Sequence, residues 1–245
     1  MVRKIRLDRL IVNKGLANSK SEAANLINSR NVKVSNFKTN LLFSHTLVPL
    51  SSEIILTNKK FVSRGGDKLN YFLDELSFNL PLKNCIDVGA STGGFTDALL
   101  KRGANKVYCI DSGKDQIHPT ISKDPRVVSY EKINAKKEII LPIITANLIV
   151  VDVSFISTLK IIPNLIKFMN HESFLIILIK PQFEAKKNQV EQGGIVSDPE
   201  IHAEVLNKLF IEYHKFGVFV CEMKKSKVLG KKRGNQEYFC LLKIL

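Results

Sequence analysis

The amino-acid sequence predicts an α/β protein in which a small α+β unit precedes a doubly wound, mostly parallel sheet of seven strands. From residue 84 onward, apolar runs of strand length recur, and helix-length segments separate the first five of them. The first sixty residues instead show short helical periods followed by alternating segments. Basic residues are concentrated in that first part, so the two parts differ in composition as well as in period.

Length and composition restrict the class of protein. The chain has 245 residues, of which 44% are hydrophobic, enough for one large domain or two smaller ones with an ordinary core. No apolar run approaches the roughly 20 residues of a membrane span, and the start "MVRKIRLDRL" lacks an apolar signal core. The four cysteines lie far apart without a Cys-x-x-Cys pair. We therefore expect a cytoplasmic protein with neither a membrane partner nor a metal.

The charge is strongly and unevenly basic. The chain has 37 basic and 23 acidic residues, a net charge of +14. Residues 1–62 carry +8 of this charge, although they are only a quarter of the chain, and the other 183 residues carry +6. A concentrated positive field predicts a nucleic-acid-binding module in the first quarter.

The small unit is predicted to span residues 1–58. The stretch "RLDRLIVNKG" places Leu7, Leu10 and Ile11 on one face of a helix that ends at Gly15. The segment Ser19-Lys-Ser-Glu22 is a capping box that opens a second helix. Strands are expected for "VKV" and "EIILT".

Residues 59–66 are predicted to form a joint and residues 67–245 the larger domain. An amphipathic helix is expected for "KLNYFLDELSF". The predicted strands are 84–88, 106–110, 126–129, 147–153, 174–179, 216–221 and 237–244. A basic loop joins the last two strands, which indicates a terminal hairpin. In such sheets, ligands bind at the carboxyl ends of the parallel strands.

A glycine-rich turn follows the first strand of the larger domain, in "CIDVGASTGGFTDA" at residues 85–98. Phe95 stands where a phosphate-binding P-loop has lysine. Ser91 occupies the place of the central glycine of a dinucleotide fingerprint, which counts against that reading without excluding it. The run from Gly89 to Gly93 matches a serine-hydrolase elbow, but no clear parallel strands precede it. A tight turn for packing alone is the remaining structural alternative.

Two carboxylates favour a cationic nucleoside ligand for this turn. Asp87 is expected to point at the ligand from the turn, and Asp111 ends the next strand, where an acid accepts from ribose hydroxyls. S-adenosylmethionine carries an amino acid, a sulfonium and a ribose, and needs no phosphate clamp. The predicted cofactor-binding residues are Asp87, Gly89, Ser91, Thr92, Gly93, Gly94, Phe95, Asp111, Asn134 and Asp152.

Four charged residues are expected at the same ligand edge: Lys68, Asp152, Lys180 and Glu237. Asp152 and Lys180 each follow an apolar strand, where burying a charge is costly unless it is paired. Each residue taken singly is equally consistent with a strand-end charge in water. Their order around a cofactor turn favours a catalytic set.

The lysine-aspartate-lysine-glutamate set resembles that of FtsJ-like ribose 2′-O-methyltransferases. With "RLDRL", "SRGGDKL", "DVGASTGGFTD", "DVSFIS", "KPQFE", "GGIVSDP" and "GNQE", nearly the whole chain resembles TlyA-type ribosomal RNA methyltransferases, which are similar to proteins described as haemolysins. The resemblance implies a Rossmann-like, seven-stranded methyltransferase domain. It also implies S-adenosylmethionine-dependent 2′-O-methylation of cytidine in large-subunit ribosomal RNA, and whether small-subunit RNA is a substrate too stays open at this point. Two positions depart from the family's usual pattern. Phe61 stands where the family usually has tryptophan, and Asp67 stands where it usually has a small residue or histidine.

Residues 5–57 resemble the RNA-binding domain first seen in small-subunit ribosomal protein four. The matching letters include Arg6-Leu7-Asp8, Gly15-Leu16-Ala17 and Ser19-Lys20. The resemblance implies that the module binds ribosomal RNA or ribosomal subunits. Together with the basic loop of residues 224–233, the predicted RNA-binding residues are Arg6, Lys14, Ser19, Lys20, Arg30, Arg64, Lys231, Lys232 and Arg233. A solvated basic face is the structural alternative.

Within the catalytic set, we predict that Lys180 receives the proton of the ribose hydroxyl and that Lys68 orients the ribose. Asp152 and Glu237 would hold the lysines in register. Which group takes the proton stays open at this point. The glycine-containing segment after Lys180 is expected to be mobile or ordered by substrate. The alternative functions are a non-catalytic RNA-binding assembly factor and a membrane-lytic haemolysin.

Overall fold

The computed structural model describes residues 3–28, 31–35, 37, 42–56, 60–230 and 235–244. The chain divides into two compact units, Met1–Lys60 and Phe61–Leu245. Within the described residues, no helix combines the length and the apolar character needed to cross a membrane.

The described residues of the first unit form two short helices and two small sheets. Its elements are β1 (Lys4–Arg6), α1 (Leu7–Asn13), α2 (Lys20–Asn28), β2 (Val32–Val34), β3 (Leu47–Pro49) and β4 (Ile54–Leu56). Strand β1 pairs antiparallel with β3, and β2 pairs antiparallel with β4. The helices pack through Leu7, Leu10, Ile11, Ala23 and Ile27, which are buried. This agrees with the predicted helical faces.

The second unit contains seven strands and six helices among the described residues. They are α3 (Arg64–Asp74), β5 (Asn84–Val88), α4 (Gly94–Lys101), β6 (Lys106–Ile110), α5 (Pro119–Ser122), β7 (Val127–Tyr130), β8 (Leu148–Val151), α6 (Ile162–Leu165), β9 (Phe174–Ile179), α7 (Pro181–Glu184), α8 (Pro199–Lys215), β10 (Val218–Lys225) and β11 (Tyr238–Ile244). Short 3₁₀ turns cover Thr158–Lys160, Ile166–Phe168 and Lys187–Gln189.

These seven strands form one sheet in the order β10-β11-β9-β8-β5-β6-β7. Strands β9, β8, β5, β6 and β7 are parallel, so their carboxyl ends share one edge. Strand β11 runs antiparallel to β9, and Tyr238 pairs with Ile179. The amino end of β11 therefore lies at that same edge, which places Glu237 beside the strand ends. The predicted α/β class and the terminal hairpin are confirmed.

Two local predictions differ from the structure, and two of its strands were not predicted. The helix predicted from residue 68 begins at Arg64 and ends at Asp74, so it includes part of the expected joint. Residues 131–147, between β7 and β8, contain no helix, because that crossover is built from turns. Strands β1 and β3 were not predicted. They pair with each other across a long stretch of sequence, and pairing between distant segments leaves no local pattern.

Helix α3 and strand β11 share a buried aromatic contact. Phe72 stacks on Phe239 with ring centroids 4.8 Å apart, and both side chains are almost completely buried. The ring centroid of Phe95, in α4, lies 6.1 Å from that of Phe239. The stack holds α3 against β11, next to the edge where the parallel strands end.

Replacing Phe72 with alanine should lower the free energy of unfolding by about 3–5 kcal/mol, because it removes a fully buried ring from this stack. The neighbouring Tyr71 is 45% exposed and is the matched control. Tyr71→Ala should change stability by about 0.5 kcal/mol or less. Urea unfolding of both variants measures the difference. Equal, small losses would show that the stack does not hold α3.

Candidate active site

The glycine turn after β5 is shaped by a close backbone contact and a carboxylate. Gly89 has φ +82°, and a Cβ there would lie 2.5 Å from the carbonyl oxygen of Asp152. Ser91 also adopts a left-handed φ of +47°, and its N–H donates to Asp111 Oδ2 at 2.8 Å. Asp111 Oδ1 accepts from the N–H of Gly113 at 2.7 Å. The Asp111 carboxylate at the end of β6 thus joins that strand end to the glycine turn after β5.

The carboxylate of Asp87 lies inside this turn and is completely buried. We expected it to point at the ligand from the turn, but it belongs to strand β5, and its Oδ2 accepts from the N–H and hydroxyl of Thr96 at 2.9 and 2.6 Å. Its Oδ1 has no hydrogen-bond partner among the described residues. Burial raises the pKa of Asp87 to about 7, with added repulsion from Asp152 and Asp111, while the Thr96 hydrogen bonds oppose the rise. A nearby positive charge would relieve this repulsion.

Lys68 and Glu237 form the first of two lysine–carboxylate pairs. Lys68 Nζ donates to Glu237 Oε2 at 2.5 Å, and the residues are 7% and 3% exposed. Lys68 lies on α3, and Glu237 directly precedes β11. Because each charge would be costly to bury alone, the pair requires these two distant parts of the sequence to meet.

Lys180 and Asp152 form the second pair, at the ends of β9 and β8. Lys180 Nζ lies 2.5 Å from Asp152 Oδ1 and donates to Ser154 Oγ at 3.0 Å. The approach to Asp152 is outside hydrogen-bond geometry, so this contact is an ion pair without a directed hydrogen bond. The four predicted catalytic residues are therefore arranged as two neutralised pairs.

The remaining predicted cofactor residues occupy different environments. Thr92 lies in the turn, where its carbonyl accepts from the N–H of His118 at 3.2 Å. Gly93 caps α4 with φ +85°, and Gly94 is the first residue of that helix. Asn134 is exposed, and its Oδ1 accepts from the N–H of Lys136 at 3.0 Å, which is the geometry of an ordinary loop turn.

The predicted RNA-binding residues of the first unit that the structure describes are exposed. Arg6 is bound to Asp8 at 2.6 Å, so part of its charge is already neutralised. Lys14 and Lys20 are exposed at the end of α1 and the start of α2. Ser19 Oγ accepts from the N–H of the third residue of α2 at 3.1 Å, which is one half of the predicted capping box. Arg64, in the second unit, begins α3.

The basic run near the carboxyl end is used partly within the protein. Lys224 Nζ donates to the carbonyl of Glu75 at 2.9 Å, and Lys227 Nζ lies 2.5 Å from the Glu75 carboxylate. These two lysines, which we expected to grip RNA, fasten the end of α3. Four predicted RNA-binding residues lie outside the described residues: Arg30, Lys231, Lys232 and Arg233.

The segment after Lys180, predicted to be mobile or ordered by substrate, is held by internal contacts. Asn235 Nδ2 donates to Gly194 O at 2.8 Å, and its Oδ1 accepts from the N–H of Val196 at 3.3 Å. The ring of His202 bridges Val196 O and the Tyr238 hydroxyl at 2.8 Å each. The segment is thus fastened to the residues on either side of Glu237.

Sequence reasoning missed an exposed aromatic side chain at this edge. Phe155, three residues after Asp152, is 82% exposed and has φ +64°. A non-glycine residue in this region is strained, and such strain is concentrated at functional sites. Phe155 contacts Phe183 with ring centroids 5.0 Å apart. The motif "DVSFIS" contains this residue, but the motif does not indicate its backbone strain.

The second unit matches the FtsJ-like methyltransferase family model over residues 61–244. The chain belongs to this family. An S4 domain model matches residues 5–36. The resemblance seen in the motifs, the fold class and the assignment as a methyltransferase are thereby confirmed.

Relatives match this family member over nearly their whole length. Hemolysin A of Brachyspira hyodysenteriae is 39% identical, covering 96% of this chain and 98% of that protein. The 16S/23S rRNA (cytidine-2′-O)-methyltransferase TlyA of Mycobacterium tuberculosis is 35% identical, covering 99% and 91%. A solved structure of a proposed hemolysin from Streptococcus thermophilus is 30% identical, covers 100% of this chain and 90% of that one, and has a TM-score of 0.73.

Gly89→Ala should weaken binding of the methyl donor more than tenfold, because the new Cβ would meet the Asp152 carbonyl and force the turn apart. Gly103→Ala is the matched control. Gly103 also has a positive φ, +91°, but a Cβ there would meet nothing within 4 Å. Both variants should lose about 1 kcal/mol through backbone strain, and Gly89→Ala should lose more because of the added clash. Only Gly89→Ala should lose affinity. Calorimetric titration with S-adenosylmethionine measures the affinities. Equal affinities would contradict the role of this turn.

Proposed function

We propose that this protein transfers the methyl group of S-adenosylmethionine to the 2′-hydroxyl of a cytidine in ribosomal RNA. The observation that carries the proposal is the arrangement of two lysine–carboxylate pairs around the strand ends of an FtsJ-like domain. The choice of cytidine as the nucleotide and of its 2′-oxygen as the methylated atom is supported by the relative in Mycobacterium tuberculosis. That protein is named as a cytidine-2′-O-methyltransferase of 16S and 23S rRNA.

The acidic turn fits a cationic methyl donor. Asp87, Asp111 and Asp152 are close enough that the latter two raise the pKa of the first. The buried Asp87 Oδ1 lacks a partner among the described residues, so a cation would add attraction where there is now repulsion. We assign Asp111 to the ribose hydroxyls and Asp87 to electrostatic support from beneath the turn. When bound, S-adenosylmethionine supplies an activated methyl group on sulfur.

Lys180 is the residue we assign to the attacking hydroxyl. A ribose hydroxyl is a weak acid, and its oxygen must lose a proton as it bonds to the methyl carbon and the methyl–sulfur bond breaks. We assign that proton to the uncharged form of the Lys180 amine. The Ser154 hydroxyl accepts one hydrogen bond from the Lys180 amine, and the Asp152 carboxylate lies beside it. This arrangement leaves bonding capacity of the amine for the ribose oxygen. Lys68, held by Glu237, would orient the ribose and stabilise developing negative charge.

The first unit would supply most of the RNA affinity. It contains the S4 match, and residues 1–62 carry +8 of the net charge. The partner would be ribosomal RNA within ribosomal subunits, and the protein would act in the cytoplasm, where that substrate is found. Binding should therefore weaken steeply as salt rises and phosphate contacts are lost.

Lys180→Met should lower methyl transfer by roughly 10²-fold or more, the scale expected for a positioned proton-transfer group. Affinities for cofactor and RNA should change much less, because the amine acts mainly in the transition state. Tritiated-methyl incorporation into ribosomal particles from a strain lacking the enzyme measures the transfer. The matched control is Lys186→Met, since Lys186 follows α7, is 70% exposed and pairs with Glu204. The control should keep nearly full activity.

Lys180→Arg separates the two roles open to the amine. An arginine keeps the positive charge but cannot accept a proton near neutral pH. If Lys180 receives the hydroxyl proton, the arginine and methionine variants should be equally impaired. If it only orients the hydroxyl, the arginine variant should retain the greater activity. Near-normal transfer by the methionine variant would show that Lys180 is a strand-end charge without a catalytic role.

A further inference from the structure

Glu184 is a buried carboxylate that the proposed chemistry does not use. It ends helix α7, four residues after Lys180, and is 6% exposed. Among the described residues, no cation lies within ion-pair distance of it. Burial raises the pKa of Glu184, while hydrogen bonds from Ser157 and Thr158 oppose the rise. Burying a carboxylate without a cationic partner costs free energy, and hydrogen bonds to the carboxylate offset that cost. The partners of these hydrogen bonds are then held in place as well.

Among the described residues, the three hydrogen bonds of the Glu184 side chain all come from one short segment, residues 152–158. Its Oε2 accepts from Ser157 Oγ at 2.6 Å. Its Oε1 accepts from the N–H and the hydroxyl of Thr158 at 2.7 and 2.8 Å. The Thr158 hydroxyl also lies 2.7 Å from the hydroxyl of the buried Tyr213, which extends the network to helix α8. The far end of the segment is therefore anchored in the core.

The near end of the same segment holds the catalytic amine. Asp152 and Ser154 contact Lys180, as described above. Between the two ends, Phe155 has a left-handed φ of +64° and contacts Phe183. Segments 152–158 and 180–184 are thus joined at both ends and in the middle. A strained residue between two anchors keeps its conformation only while both anchors hold.

We infer that Glu184 is a positioning residue for methyl transfer: it fixes segment 152–158, through which Asp152 and Ser154 aim the amine of Lys180. The inference rests on the proposed function. The hydrogen bonds of Glu184 go to Ser157 and Thr158, not to the Lys180 amine. Any effect of Glu184 on the rate of methyl transfer would therefore pass through segment 152–158. Small displacements of a catalytic group are sufficient to lower a rate severalfold or more.

The first test is Glu184→Ala in the full-length protein. We expect kcat for methyl transfer to ribosomal particles to fall at least tenfold, with less than threefold change in S-adenosylmethionine affinity. Glu184→Gln should recover most of the rate. Its amide oxygen can accept from Thr158, and its amide N–H can donate to a reoriented Ser157 hydroxyl.

The matched control is Ser173→Ala at the opposite edge of the sheet. Ser173 is fully buried, and its Oγ donates to Ala146 O at 2.6 Å, just before β9 begins. Losing this hydrogen bond should lower stability without lowering kcat. Should Glu184→Ala fail to fold, Thr158→Val removes one of the three hydrogen bonds and should still lower kcat severalfold.

A double-mutant cycle tests whether Glu184 acts through Lys180. In a Lys180→Met background, Glu184→Ala should cost less than threefold, because the amine that it positions is gone. The inference is overturned if Glu184→Ala has normal kcat, if its loss equals that of Ser173→Ala, or if the loss is the same in both backgrounds. A wild-type protein that transfers no methyl group would instead contradict the proposed function itself.

Discussion

Burying a charge costs free energy unless an opposite charge lies next to it. Lys68 and Glu237 meet this condition, because their charged atoms are 2.5 Å apart and both residues are almost fully buried. These residues are 169 positions apart in sequence, so the ion pair determines where α3 and the start of β11 must lie. The Phe72–Phe239 stack and the Glu75 contacts with Lys224 and Lys227 support the same arrangement. Removing one partner of the pair would leave an uncompensated charge beside the strand ends.

The second pair, Lys180 with Asp152, shows how the same sheet edge is adapted for chemistry. It is less buried than the first pair, and its amine is also held by the Ser154 hydroxyl. The first pair is therefore suited to hold a fixed charge that would orient the ribose, and the second, more accessible pair is suited to the attacking hydroxyl. Next to the second pair, after the neighbouring strand β5, lies the acidic glycine turn. Beneath it, Asp87 has a pKa raised to about 7 by burial and by neighbouring carboxylates. A cationic methyl donor would complete the electrostatic balance of this edge.

The sequence was sufficient to predict the buried strands, because fully buried strands are continuous apolar runs. Predicted strands 84–88, 106–110 and 174–179 match β5, β6 and β9. The four charged residues of the site were found by motif. Which lysine pairs with which carboxylate was not predicted, since contacts between distant residues leave no local pattern. For the same reason, nothing in "KPQFE" indicated that Glu184 binds Ser157 and Thr158. The crossover from β7 to β8 lacks its expected helix, because spacing alone does not distinguish turns from a helix.

The most direct test of the account is the chemical identity of the product. Ribosomal particles from a strain lacking the enzyme would be incubated with the protein and isotopically labelled S-adenosylmethionine, and the RNA then digested to nucleosides for mass spectrometry. The account predicts that the label is found in 2′-O-methylcytidine, because the lysine-bearing edge is suited to a ribose hydroxyl. Label on a base, or RNA without label despite bound cofactor, would contradict it.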